Sequence, residues 1–474
     1  MLIFAAMSER PEYIDLRKSY RISITEGIFA QISGTLGGAG SVFLTKFAVL
    51  LGATPFQFGV LGAIGQLSQI FQPVGVVLTR RKSERKPITL WLLTLGRLMV
   101  VPFGFLPFIF PNNIAIWFFL GLFMLGSSFG AVGVNTWIAW FSDLVPLRIR
   151  GRFLSRRSQY LMVAGIATGY LFGAFLDIFD SEPGFIALWM KGFLTFPKTL
   201  PENAIKYALM LIFLLSAIAG IISIMILRKQ PERPKDVEHE SISELLITPL
   251  RDKNFRRLMV YGLWWMAAIG IGAPFWQPFM IGHLKMSVVM IQIYATISVL
   301  SGISTLRLWG IFIDKFGNKT AMRFAIVLGC INPLIWLFAT PSTYWIIYFE
   351  AAFSGIMWSG ANIVALNFVL AIAPPKRRQV YSGVYGAFSG VAMMTTMLLS
   401  GAFLPRAMEI GGLHLEPEQV LFGLTGIARL TAEIPLTWIK EPRSVSFRDT
   451  LLQATSFAKV QIASLARFFN GGQK

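Results

Sequence analysis

The chain has 474 residues, 54% hydrophobic and 14% charged, with a mean hydropathy of +0.61. A soluble domain carries about 25% charged residues, so this balance points away from a water-soluble enzyme or binding domain. The net charge of +19 is spread as short basic clusters between apolar runs. It forms no single basic domain, which sets aside a nucleic-acid partner.

Residues 1–23 carry charges at short intervals and no apolar core, so no cleavable signal peptide is expected and the first long helix inserts the chain. A spanning helix needs about 20 residues. Apolar stretches of that size fall near 24–49, 56–79, 88–110, 115–141, 158–178 and 205–227. After a polar break they recur near 258–282, 287–309, 320–340, 343–372, 381–403 and 419–439. Runs such as 205–227 have no polar face at helical spacing, unlike a surface helix of a soluble protein. The fold class expected is an all-α membrane protein with twelve transmembrane helices in two six-helix halves. The expected boundaries are an N-terminal segment 1–23, halves 24–227 and 258–440, a linker 228–257, and a tail 441–474. The linker has Pro231 and Pro234 among charges and then a short amphipathic stretch from Ser241 or Ser243 to about Leu250. The tail has an amphipathic stretch over 449–469 that suits the bilayer surface or a membrane-protein partner.

With an even number of spans both termini share a side. That side holds 34 of the 43 Lys and Arg residues, the other holds five, and four lie inside spans. The bias makes the basic side cytoplasmic in a multi-pass protein of the cell membrane. The halves also echo one another. Gly75 and its basic turn correspond to Gly310 and its turn, and Pro146 with Arg148, Arg150 and Arg152 corresponds to Pro375 with Arg377 and Arg378.

Chemical constellations are sparse. Cys330 is the only cysteine, and His239, His283 and His414 are far apart, so neither an intrachain disulfide nor a metal site is expected. There is no P-loop and no catalytic constellation, so neither an enzyme nor a cofactor is expected. Ionisable groups at membrane depth are functional candidates by default. Glu26, near the start of the first span with Gln31, is either a coupling acid or a carboxylate favoured by the helix N-terminus. Glu350 follows Tyr344, Trp345 and Tyr348 and is either a cavity acid or an interfacial one. Lys46 snorkels to the interface. Gln66, Gln69 and Gln72 share a helix face, while Arg429 and Glu433 are spaced to pair on one helix.

The run Gly310-Ile-Phe-Ile-Asp314-Lys315-Phe-Gly317-Asn-Lys319 resembles the loop signature of the major facilitator superfamily. The first-half copy keeps Gly75 and Arg80 but has Thr79 in place of the acid and Lys82 in place of the turn glycine. The run Asp143-Leu-Val-Pro146 followed by Arg150-Gly151-Arg152 resembles the loop after the fourth helix in many bacterial members. The resemblance covers about residues 20–440. It implies that helices 1, 4, 7 and 10 line a central cavity, with Glu26, Gln31, Asn135, Trp264, Trp265, Gln277, Glu350 and Asn362 as cavity or coupling candidates. Pro274 is expected to interrupt helix 7 beside Trp264, Trp265, Trp276 and Gln277. It also gives Gly75, Arg80, Gly310, Asp314, Lys315, Gly317 and Lys319 gating roles. Physically, Gly317 suits a turn with φ > 0, Gly310 allows close helix approach, and Asp314 can accept amides from a neighbouring helix. The implied function is a secondary active transporter of a small solute, with proton coupling through a carboxylate. The alternative is a non-transporting membrane scaffold or assembly factor on the same fold.

Overall fold

The computed structural model describes residues 11–80, 82, 84–180, 184, 187–189, 192, 203–232, 248–374 and 377–441. Their apolar runs form helices because lipid offers backbone groups no partners, so each segment satisfies its own. Span 1 is α1 (Pro11–Gly37) with α2 (Val42–Leu50), and span 2 is α3 (Pro55–Ile70) with α4 (Gln72–Arg80). Span 3 is α5 (Lys86–Leu98), continued by a tight turn into α6 (Leu106–Ile109). Spans 4 to 6 are α7 (Asn112–Leu144), α8 (Leu147–Ile178) and α9 (Ala204–Leu227). Span 7 is α10 (Lys253–Gly272) with α11 (Trp276–Gly282). Spans 8 to 11 are α12 (Val288–Phe316), α13 (Asn318–Ile335), α14 (Ile346–Ile372) and α15 (Arg378–Ala402). A small hairpin, β1 (Met408–Ile410) and β2 (Leu413–Leu415), precedes span 12, which is α16 (Pro417–Thr431) with α17 (Glu433–Thr437).

Eleven of these segments are long and apolar enough to cross a membrane. The remaining one, span 2, is interrupted at Phe71 and carries Gln57, Gln66, Gln69 and Gln72. The expected tail helix, and all but the last residues of the expected linker helix, lie outside the described residues.

Two interruptions matter for the site. Span 1 breaks at 38–41, where the Ser41 hydroxyl donates to Thr35 O (2.7 Å) and accepts from Phe43 N (3.2 Å), restarting the helix as α2. Span 7 breaks at 273–275, where Pro274 has no amide hydrogen to give.

Each half is tied internally: α1 to α8 and α9, α5 to α7, α10 to α15 and α16, α13 to α14 and α16, and α12 to α14. Between the halves, α3 packs on α15, α8 on α12, and α2 on α11. These junctions share one end, where spans 1, 5 and 7 finish and spans 2, 8 and 12 start. It is called the distal rim here, and the end nearer the described chain ends is the proximal rim. At the distal rim the apolar core is one cluster running across both halves, from Phe43, Phe47, Phe103 and Phe213 to Phe279, Trp336 and Phe422. Towards the proximal rim the core separates into one cluster per half, around Trp140 and Phe153 in the first and Phe255 and Tyr381 in the second.

Polar contacts follow the same division. Asp177 at the end of α8 accepts the first amides of α12, from Val288 (2.7 Å) and Val289 (3.0 Å). Thr45 donates to Gln277 Oε1 (2.6 Å), Gln277 donates to Gly40 O (3.1 Å), and the Tyr170 hydroxyl donates to Thr296 (3.1 Å). All of these lie in the distal part of the bundle. Lys46, expected to snorkel, instead pairs with Asp180 beside the same junction, and both side chains are mostly buried.

At the proximal rim each half carries its own clasp. Glu232, after span 6, accepts the amides of Arg85 and Lys86 at the start of α5, while Lys86 Nζ donates to Gln230 O (2.9 Å). Glu441, after span 12, accepts the amides of Asn318 (3.0 Å) and Lys319 (2.6 Å) at the start of α13. Lys319 Nζ donates in turn to Thr437 O (2.8 Å) and Ile439 O (3.0 Å). In both cases a carboxylate meets otherwise unpaired N-terminal amides, which it stabilises through hydrogen bonds and the helix dipole.

Candidate functional site

Just beneath the distal junction the two halves enclose a cavity of about 440 Å³. The broken helices supply part of its wall, Ser41, Leu44 and Thr45 from the first half and Pro274, Trp276 and Gln277 from the second. The lining is mainly apolar and aromatic, with few polar groups, as is usual for a small-molecule site.

The polar groups converge on Glu350. Its side chain is 1% exposed, and its Oε1 accepts a short hydrogen bond from Asn332 Nδ2. Asn332 Oδ1 in turn accepts from Arg429 Nη1 (3.3 Å), which also donates to Gly329 O (3.1 Å). Asn332 thus stands between acid and base, which form no direct ion pair. The Tyr294 hydroxyl and the Trp336 indole face the same carboxyl. Neither meets hydrogen-bond geometry with it: among the described residues Glu350 Oε2, Arg429 Nε and Trp336 Nε1 are buried and have no hydrogen-bond partner. An unmet buried polar atom is costly and uncommon in a native interior.

Of the cavity candidates, Gln277 and Glu350 line this space. The other six do not. Glu26 lies inside the first half, 6% exposed, with Oε2 accepting from Arg157 Nη2 (3.2 Å) and Oε1 from Ser223 (3.1 Å). Gln31 is half-buried and donates to Thr35 (3.3 Å), and Asn135 is half-buried on α7. Trp264 is half exposed and donates to Thr431 (3.0 Å). Trp265 is buried in the core of the second half, and Asn362 is exposed.

The residue that sequence spacing misplaced is Arg429. The structure breaks span 12 at Ala432, three residues before Pro435, whose missing amide hydrogen ends the regular ladder. Glu433 accepts from Arg323 Nε on α13 rather than pairing with Arg429 (2.6 Å). Arg429 turns into the cavity. Asn332 and Tyr294 carried no signal beyond being polar residues within apolar runs.

The residues expected to gate are divided in their surroundings. Gly317 joins α12 to α13 with φ +83° and leaves the helix there. At Gly75 a Cβ would lie 3.0 Å from Thr136, so α4 and α7 approach closely there. Gly310 has open space around it and is not a close-approach glycine in this arrangement. Asp314 is exposed and makes no hydrogen bond or ion pair among the described residues. Lys315 Nζ lies 5.2 Å from the Phe316 ring, Lys319 belongs to the clasp, and Arg80 ends α4 with its side chain outside the described set.

The Major Facilitator Superfamily model matches residues 258–467. No curated protein matches the sequence. The fold is similar to the nucleoside transporter NupG, with 14% identity and a TM-score of 0.64 over 88% of this chain and 98% of that one. It is also similar to the inward-open xylose transporter XylE from E. coli, with 14% identity and a TM-score of 0.59 over 90% of this chain and 96% of that one. A D-xylose-proton symporter gives 15% identity and a TM-score of 0.59 over 91% of this chain and 98% of that one. The second half matches the family model and almost the whole chain superposes on solved transporters, so this multi-pass membrane protein has the major facilitator superfamily transporter fold.

Proposed function

We propose that the chain is a secondary active transporter that carries a small solute by alternating access, its halves rocking about the central cavity. The observation that carries this reading is the arrangement of contacts around that cavity: one continuous core and several inter-half hydrogen bonds on its distal side, separate cores on its proximal side. The basic residues make the proximal rim cytoplasmic, and the arrangement is then inward-facing, in keeping with the likeness to inward-open XylE. Glu350 is the better-placed coupling acid, because it lines the cavity while Glu26 is enclosed in its own half. The likeness to a D-xylose-proton symporter supports a proton as the coupling ion. Exposed Asp314 then belongs to a latch that forms in the opposite arrangement.

Spin labels in a Cys330→Ser background test the reading. One pair at Leu154 and Leu308 reports the proximal separation of spans 5 and 8, and another at Phe56 and Phe403 reports the distal separation of spans 2 and 11. Two anticorrelated distance populations are expected in liposomes. A single fixed distribution at both rims would overturn alternating access and favour a static scaffold.

A further inference from the structure

The cavity holds an acid and a base side by side and joins them only through a neutral amide. Apart from Tyr294, Glu350 and Arg429 are the only ionisable residues lining it among the described residues. We propose that the solute is an amphipathic organic anion whose carboxylate settles on the Arg429 guanidinium, and that Glu350 must hold a proton when it does. This rests on the transport reading above and adds the charge of the solute and the order of ionisation.

A buried guanidinium needs a countercharge. Arg429 makes both of its hydrogen bonds through Nη1, to the neutral acceptors Gly329 O and Asn332 Oδ1, and its Nε has no partner. Ionised Glu350 supplies the countercharge at a distance, relayed by Asn332. Once Glu350 takes a proton from solution, Arg429 is left uncompensated, and a solute carboxylate restores the balance. Proton and anion therefore load together and leave together, and the net charge of the site is the same empty or filled. No bond other than the proton's changes hands.

The surroundings support this exchange. From α12 Tyr294 faces the carboxyl, from α16 Arg429, and from α13 Asn332, while Cys330 of α13 faces Arg429. On the acid's own helix, Tyr348 faces Tyr344 and Tyr170 rather than the cavity acid. The neighbouring span 7 brings Ile269 and Ala273, α15 brings Met393, and the described wall from the first half brings no charge. Among the described residues nothing else in the cavity competes for the role of counterion. Phe58, Leu61, Phe123, Trp276, Ile291 and Trp358 offer apolar surface for the body of the solute.

Thermal unfolding of the purified full-length protein in detergent, followed by tryptophan fluorescence, tests the proposal with three matched probes: phenylpropionate, its methyl ester, and phenylpropylamine. Phenylpropionate, and not the other two, is expected to raise the melting temperature. Its affinity should fall by up to about tenfold per pH unit as Glu350 loses its proton. Glu350→Gln is expected to bind phenylpropionate equally at low and high pH. Arg429→Gln is expected to lose binding, and Arg429→Lys to recover part of it if the loss reflects charge rather than misfolding. Stabilisation by the amine instead of the acid, undiminished pH dependence in Glu350→Gln, or no response to any probe would each overturn the anion proposal. A response to the ester or amine that disappears in Trp358→Ala would overturn it while leaving the cavity a solute site. The transport reading itself stands or falls on the spin-label distances.

Discussion

Glu26 and Glu350 are both buried carboxyl groups beside an arginine, yet they are finished differently. In the first half, Arg157 contacts Glu26 directly, donates through Nε to Ser23 O (3.1 Å) and lies 4.7 Å from the Trp137 ring. Ser223 fills the second oxygen of Glu26, and Arg97, which donates to Ser33, also faces the acid. In the second half, Asn332 intervenes between Glu350 and Arg429, and an atom of each partner remains unmet. The spans contributing to the two groups are related. Glu26, Arg157, Ser223 and Arg97 come from the first, fifth, sixth and third spans of their half. Glu350, Tyr294, Asn332 and Arg429 come from the fourth, second, third and sixth of theirs. The exchange expected of nested three-helix inverted repeats carries one set onto the other and swaps the rim each lies near. One set forms a locked strut, and the other is open towards the cavity.

Substitutions can break this contrast. The largest loss is expected from Arg157→Met, which strands the Glu26 charge: about 3–5 kcal/mol of stability, read by reversible unfolding in mixed micelles. Ser223→Ala removes a hydrogen bond to a charged group and should cost about 1.5–3 kcal/mol by the same measurement. Arg429→Met removes an arginine with no direct ionic partner, and the acid it leaves behind can be discharged by a proton, so a loss smaller than at Arg157 is expected, with solute-dependent behaviour altered as well. Equal losses at Arg157 and Arg429 would erase the distinction between strut and open site.

Most of the fold was legible because lipid imposes a simple rule, long apolar runs with charge kept to the ends, and 205–227 or 287–309 satisfy it without reference to any other part of the chain. The break at Pro274 was legible for a similarly local reason. The site was less so. Glu350 stood out as an acid in an apolar run, but Arg429 was hidden by a helical spacing to Glu433 that the chain abandons at Ala432. Glu26 and Lys46 have the same residue types as functional groups. Their partners Arg157 and Asp180 are more than a hundred positions away, and only packing brings them together.

The paired clasps bear on how such a chain is made. Glu232 closes the first six spans onto the start of α5 using residues no later than the first few positions of the linker. The first half therefore has this clasp before any of span 7 leaves the ribosome, and it can settle in the bilayer as a unit. The second half has to wait for Glu441, past its last span, before α13 receives its cap. In chain order, then, the two halves are fastened separately, the first before the second.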